Sequence, residues 1–222
     1  MIQQNQYFDD LKDLLNSNLS CHTCLHISLG YNNISEQGAS QLGYVFQNFS
    51  HLQNLTLDLR YCNIRNKGLI NLVSGLTKCT NLCELNLNLR YNHIGVDGLS
   101  ALGTGLTKFA NIQNLTLNLE QNNINHQGAS YLFVGLAKCA SLSSLNLQFV
   151  QLSKNQNIKN QALQLGKFFC DKESLPKDKK SIHKFLLYKK EQQNWQLRSF
   201  AIGFWTSKMH KSLSFGLEFI VN

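Results

Sequence analysis

Residues 85–98 read LNLNLRYNHIGVDG, and that stretch decides the fold. In Leu85-Asn-Leu-Asn-Leu89, apolar and polar residues alternate with period two, the pattern of a short strand with one buried face. Asn92 and Ile94 follow, then Gly98 four residues beyond the isoleucine, then Leu99, Leu102, Leu106 and Phe109 at the spacing of one helical face. The run repeats at an interval of 30 residues. Leu55, Leu85, Leu115 and Leu145 keep that interval, as do Ile34, Ile64, Ile94 and Ile124 and the glycines at 38, 68, 98 and 128, with Leu25 opening the series. The helical face recurs as Ala39, Leu42, Phe46 and Phe49, as Leu69, Leu72, Leu76 and Cys79, and as Ala129, Leu132, Leu136 and Cys139. One strand and one helix cannot bury both apolar faces alone. Stacked units do so, with a parallel sheet on one side and a row of helices on the other.

Leu82, Leu85, Leu87, Asn92 and Ile94 match the consensus of the leucine-rich repeat family, which the chain resembles over roughly residues 20–150. Gly98 and the helix after it resemble the ribonuclease-inhibitor-like subclass, and the Asn-rich, 30-residue style is similar to repeats of ciliated protists. The resemblance implies an α/β solenoid, or horseshoe, with one parallel sheet on the concave face and helices on the convex face. One departure is systematic: Leu59, Leu89 and Leu119 add a pair of residues before the asparagine, so the strand or ascending loop runs about two residues longer than usual. The expected organisation is an N-terminal cap over residues 1–19, about five repeats over 20–169 with the last degenerate, and a basic tail or cap over 170–222. The cap is expected to hold a helix over residues 7–15, with Phe8, Leu11, Leu14 and Leu15 apolar.

Composition narrows the class. Hydrophobic residues make up 43% of the 222 and charged residues only 15%, so the polar half is mostly uncharged; 26 Asn and 18 Gln supply it. With 38 Leu, the chain is not a charged disordered one. Residues 1–13 have neither the basic start nor the apolar run of a signal peptide. The apolar stretch Leu213 to Val221 falls well short of the roughly 20 residues of a spanning helix. Seven Cys, an odd number, fit reduced thiols, and the expected location is intracellular, in the cytoplasm.

Little in the sequence assembles chemistry. Cys21-His-Thr-Cys24 with His26 has a spacing that zinc favours, but no second Cys pair follows and Cys24 falls in the column of Asn54 and Asn114, so neither metal nor cofactor is expected. No nucleophile elbow, phosphate-binding glycine loop or dinucleotide fingerprint occurs, and the reading is a non-enzyme. What remains is surface. Strand alternation puts Ser28, Thr56, Asp58, Arg60, Asn86, Asn88, Arg90, Thr116, Asn118, Glu120, Asn146 and Gln148 on the sheet face opposite the leucines, as candidate partner-binding residues. Arg60 and Arg90 stack in adjacent strands, with Asp58 expected diagonal to Arg90, an arrangement suited equally to orienting an Arg for an acidic partner and to neutralising like-charge repulsion across the ladder. The tail from 167 carries 11 Lys and Arg against 5 Asp and Glu. Such a run is usually a solvated face, and nucleic acid or an anionic membrane is its less favoured partner.

The expected function is therefore a protein–protein interaction scaffold or adaptor, its partner unidentified. Resemblance to the family adds the alternative of a regulator of a small GTPase, activator-like; about five repeats being few, and the tail unlike them, adds that of a fragment of a larger repeat-containing sensor or signalling protein. Ribonuclease inhibition is disfavoured by charge, since the chain is itself basic, with pI near 9.1.

Overall fold

The computed structural model describes residues 5–17 and 22–148. Six strands, β1 (Asn5–Phe8), β2 (Cys24–Ser28), β3 (Asn54–Asp58), β4 (Glu84–Asn88), β5 (Asn114–Asn118) and β6 (Ser144–Gln148), form one parallel sheet in chain order. Helices α1 (Leu11–Asn16), α2 (Ser35–Phe46), α3 (Arg65–Leu76), α4 (Val96–Leu106) and α5 (His126–Lys138) alternate with them. Parallel pairing turns the 30-residue columns of the sequence into rows across the sheet. Leu25, Leu55, Leu85, Leu115 and Leu145 make one such row, and Ile27, Leu57, Leu87, Leu117 and Leu147 a second. All ten are buried against the helices, whose expected apolar faces are buried with them. The fifth repeat beyond residue 148 and the basic tail lie outside the described residues.

The N-terminal segment differs from the expected helix over 7–15. Residues 5–8 are a strand, paired in parallel with β2 so that Phe8 adjoins Ile27 and Tyr7 adjoins His26, and the helix begins only at Leu11. Phe8, Leu11, Leu14 and Leu15 satisfy helical spacing, but the open edge of β2 competes for the same backbone, and a strand there satisfies hydrogen bonds that would otherwise end unpaired. Asp10 makes the division between the two: its carboxylate accepts from the N–H groups of Lys12 (2.7 Å) and Asp13 (3.3 Å), capping α1.

The two-residue extension before each asparagine is visible as hydrogen bonding. Past the strand ends, Leu29, Leu59, Leu89 and Leu119 donate to the carbonyls of Asp58, Asn88, Asn118 and Gln148 at 2.8–2.9 Å. Tyr31, Tyr61 and Tyr91 then donate to the carbonyls of Arg60, Arg90 and Glu120 at 2.9–3.1 Å, so the ladder runs on into the loop. The chain next turns sharply through left-handed backbone at Tyr31, Tyr61, Tyr91 and Gln121 (φ between 54° and 67°), and buried side chains bind the turn to its neighbour. Asn92 Oδ1 accepts from Cys62 N–H (3.1 Å) and Ile64 N–H (3.2 Å), while its amide donates to Leu59 O (2.7 Å). Asn122 repeats this one unit on, accepting from Asn92 and Ile94 and donating to Leu89 O. Backbone groups that cannot reach water are thus satisfied through a side chain.

Helix spacing is uneven, for a reason readable in side-chain size. A Cβ on Gly75 would overlap the carbonyl of Gly43, and one on Gly135 that of Gly103, so α2 lies hard against α3 and α4 hard against α5. Between α3 and α4 the equivalent contact is made by Val73, whose side chain fills the space over Gly105. The two helices stand apart, leaving a groove of about 450 Å³ floored by Ile70, Val73, Ala101 and Gly105. No described helix is long and apolar enough to cross a membrane.

Candidate functional site

The face of the sheet turned away from the helices is a grid set by strand register. Ser28, Asp58, Asn88, Asn118 and Gln148 form one row, and His26, Thr56, Asn86, Thr116 and Asn146 the row before it. Every member apart from His26, which is exposed, is half-buried; each side chain is held by its neighbours yet touches solvent. A third row, absent from the expected site, precedes these: Cys24, Asn54, Glu84, Asn114 and Ser144 share their parity, and β1 extends the sheet with Tyr7, stacked on His26 at 5.2 Å between ring centroids. Alternation alone would have found this row, since it is one step of two residues before the second.

Arg60, Arg90 and Glu120 lie just beyond the strand ends, where the ladder continues. The residue two before each one orients it: Asp58 Oδ1 accepts from Arg60 N–H (3.1 Å), Asn88 Oδ1 from Arg90 N–H (3.2 Å) and Asn118 Oδ1 from Glu120 N–H (3.0 Å). The ion pairs differ from the diagonal expected in the sequence. Asp58 engages Arg60 of its own strand end (Nε–Oδ2 3.0 Å), while Arg90 pairs with Glu120 of the next unit (Nε–Oε2 3.2 Å) without hydrogen-bond alignment. A carboxylate two residues from a guanidinium shares its turn and reaches it first; Asn88, which takes the place of Asp58 one unit on, has no charge to offer, so Arg90 turns to Glu120. The acids are the less exposed partners, Glu120 buried and Asp58 half-buried, and the arginine side chains remain 45% and 41% exposed.

Beside the arginines stand three tyrosines that the candidate residues did not include. Tyr31 and Tyr61 stack with centroids 4.7 Å apart and ring planes 14° from parallel, and Tyr61 and Tyr91 stack at 4.2 Å and 17°. The Arg60 guanidinium carbon lies 5.5 Å from the Tyr31 ring centroid and that of Arg90 5.1 Å from Tyr91, within cation–π range. Desolvation within the stack, and then its hydrogen bond to the Tyr91 hydroxyl, raise the Tyr61 phenol above its ordinary pKa, although the residue is 40% exposed. The signal was present in the sequence: tyrosines 31, 61 and 91 keep the 30-residue interval as strictly as the leucines do.

The Cys and His residues weighed for a metal do not converge. His22 is buried at the place that Leu52, Leu82, Ile112 and Leu142 take in later units, Cys24 lies on the open face, and Cys21 is outside the described residues. Among the described residues no group of three or more His, Cys, Asp or Glu could hold a metal ion. A pocket of about 270 Å³ opens at the amino ends of β2 to β4, lined by Gln6, Cys24, His26, Asn54, Thr56 and Glu84, and it is a shallow part of the same face.

Comparison with known proteins agrees with this architecture. Residues 51–73 and 78–103 match a model of the leucine-rich repeat family. Among solved structures, the chain is similar to leiomodin-1 actin-binding site 2, with 14% identity over 74% of this chain and 89% of that one and a TM-score of 0.53. No curated protein matches it. Six parallel strands in one open sheet with alternating helices make the described chain an α/β repeat solenoid, and its residues 51–73 and 78–103 match leucine-rich repeats.

Proposed function

We propose that the protein is a non-enzymatic scaffold that holds a protein partner on the open face of its sheet, around Arg60 and Arg90. Leucine-rich repeat domains generally act as protein-binding scaffolds, and the similar leiomodin segment is named for binding actin. The observation that carries the reading is the state of the two arginines. Each is half-exposed, ion-paired to a carboxylate less exposed than itself and faced by an aromatic ring. A side chain so held loses little freedom when a partner arrives, and Arg and Tyr are the residue types that dominate binding energy at protein interfaces. The rest of the face, Thr56, Asn86, Asn88, Thr116, Asn118, Asn146 and Gln148 among it, offers donors and acceptors that give register more than affinity.

Capture from the source cell followed by mass spectrometry supplies the partner, and two sets of variants locate its site. Arg60→Ala with Arg90→Ala is expected to weaken capture about ten-fold or more, while Lys179, Lys180, Lys189 and Lys190 changed to Gln leave it intact. Capture that survives the first set and is lost with the second would move the site to the basic tail.

A further inference from the structure

Tyr31, Tyr61 and Tyr91 occupy one position of three successive repeats. Each has its N–H on a carbonyl of the next unit and its backbone in the left-handed region, at φ 67°, 56° and 56°. Equivalent backbone sends the three rings out the same way, and they stack with planes 14° and 17° from parallel. Tyr61 and Tyr91 are the closer pair, their centroids 4.2 Å apart against 4.7 Å for Tyr31 and Tyr61, and a hydrogen bond joins their hydroxyls. Carbon atoms touch at about 3.5–4.0 Å, so no other group fits between these two rings. The hydroxyl bond also fixes which edges meet: the ring carbons ortho to each hydroxyl lie on the same side of the stack.

The ladder is open to a reagent at the surface. Tyr31 is 66% and Tyr61 40% exposed, and Tyr91 is half-exposed. Cys62, the thiol next to Tyr61 in sequence, is buried with its sulfur on Leu29 O (3.0 Å), away from such a reagent. Tyr44 on α2 and Tyr131 on α5 are exposed as well, but among the described residues no tyrosine ring stacks on either. Exposure alone makes a tyrosine oxidisable. In the ladder the oxidised ring also faces its reaction partner already, which turns an encounter into a step within one molecule.

We propose that Tyr61 and Tyr91 are a site of oxidative modification, coupled into a dityrosine cross-link by a haem peroxidase acting with hydrogen peroxide. Each phenol gives up one electron and its hydroxyl proton, leaving a phenoxyl radical with spin on its ortho carbons. The two radicals combine into one carbon–carbon bond between ortho carbons, and each of those carbons then releases its hydrogen as a proton while a proton from water restores each phenol. The two rings together lose two electrons and two protons, and hydrogen peroxide accepts both and leaves as two waters. The new bond ties the turn of one repeat to that of the next, beside Arg60 and Arg90, and it forms whether or not a partner occupies the arginines.

The test treats the full chain, folded and dilute, with a haem peroxidase and an equimolar amount of hydrogen peroxide, and reads dityrosine fluorescence of the monomer together with its tryptic map. Trypsin cuts after Arg60, Arg65, Arg90 and Lys108, which puts the two rings on fragments 61–65 and 91–108. The expected product joins these fragments at a mass two hydrogens below their sum. Its yield should not change with protein concentration and should exceed that from the urea-unfolded chain at least about ten-fold. Tyr61→Phe, which keeps the ring and the stack, should reduce monomer dityrosine fluorescence to background, while Tyr31→Phe should leave the product in place. Equal yields from folded and unfolded chain, dityrosine formed only between molecules, or monomer fluorescence that survives Tyr61→Phe would overturn the proposal. So would oxidation that ends on the Cys62 sulfur with the two fragments unjoined.

Discussion

At position 62 a thiol stands in for an amide. Cys62 occupies the column of Asn92 and Asn122, and its sulfur donates to Leu29 O (3.0 Å) while accepting the N–H groups of Asn32 and Ile34. Burial pushes its pKa up, and those two N–H groups pull part of the way back. An asparagine would divide the same tasks between Oδ1 and Nδ2. Cys62→Asn is therefore expected to stay within about 1 kcal/mol of the parent in urea unfolding, whereas Cys62→Ala, which strands the buried loop groups, should cost about 1–3 kcal/mol. Cys79 is a thiol of the other kind, packed in the helix column of Phe49 and Phe109, where burial drives its pKa from 9.0 up to about 12. The unfolded chain loses that proton near pH 9 and the folded chain holds it, so the contribution is complete below pH 9 and is lost as pH rises toward 12. Stability measured by urea titration should fall across pH 9 to 11, on the order of a few kcal/mol at most, and Cys79→Ala should flatten that slope. On the sheet, Leu87→Ala should cost about 2–5 kcal/mol because Leu87 is buried in the middle of its row. Asn88→Ala loses one hydrogen bond to Arg90 N–H and should cost about 1 kcal/mol. Equal shifts for these two would reverse the assignment of the sheet faces.

Helix pairing is where small residues decide geometry. Gly75 lies within α3, where alanine is ordinarily the better helix former by about 1 kcal/mol, yet its Cβ would meet the Gly43 carbonyl of α2. Gly75→Ala should thus destabilise by about 1–3 kcal/mol in spite of propensity, while Gly95→Ala, with no neighbour nearer than 3.6 Å, should shift the urea midpoint little. Much of this level was legible beforehand. Leucines at period two and isoleucines and glycines at period 30 specify strands, helices and their register together, because a parallel stack places equal positions side by side. The strand at Asn5–Phe8 was not legible, since Phe8 fits both a helical and an alternating pattern over so short a run, and only the unpaired edge of β2 decides. Among candidate site residues, parity gave the rows on the strands. The ion pairs lie past the strand ends, where alternation no longer dictates direction, and so Asp58 meets Arg60 and not Arg90.

Across the whole molecule, charge is divided by position. The formal charge of +8 arises outside the described residues, within 149–222, because basic and acidic side chains cancel over the solenoid. Binding through the open face therefore has little long-range field behind it, and its affinity should change only about two- to three-fold between 50 and 200 mM salt, as expected for one or two screened pairs. Binding through the tail would fall by orders of magnitude over the same range. Anisotropy titrations of the captured partner at the two salt concentrations separate these outcomes, and a steep dependence would place the contact on the lysines.

The tyrosine ladder also gives the protein a built-in optical gauge. Three phenol rings stacked nearly parallel at 4.2–4.7 Å are close enough for their electronic transitions to couple, so their near-ultraviolet circular dichroism is that of an array and not of three isolated chromophores. Anything that slides between two repeats, parts the rings or changes their tilt alters that spectrum before the backbone signal moves. The loops beside the arginines thus report on their own occupancy, without a label and at the very place where a partner is proposed to arrive.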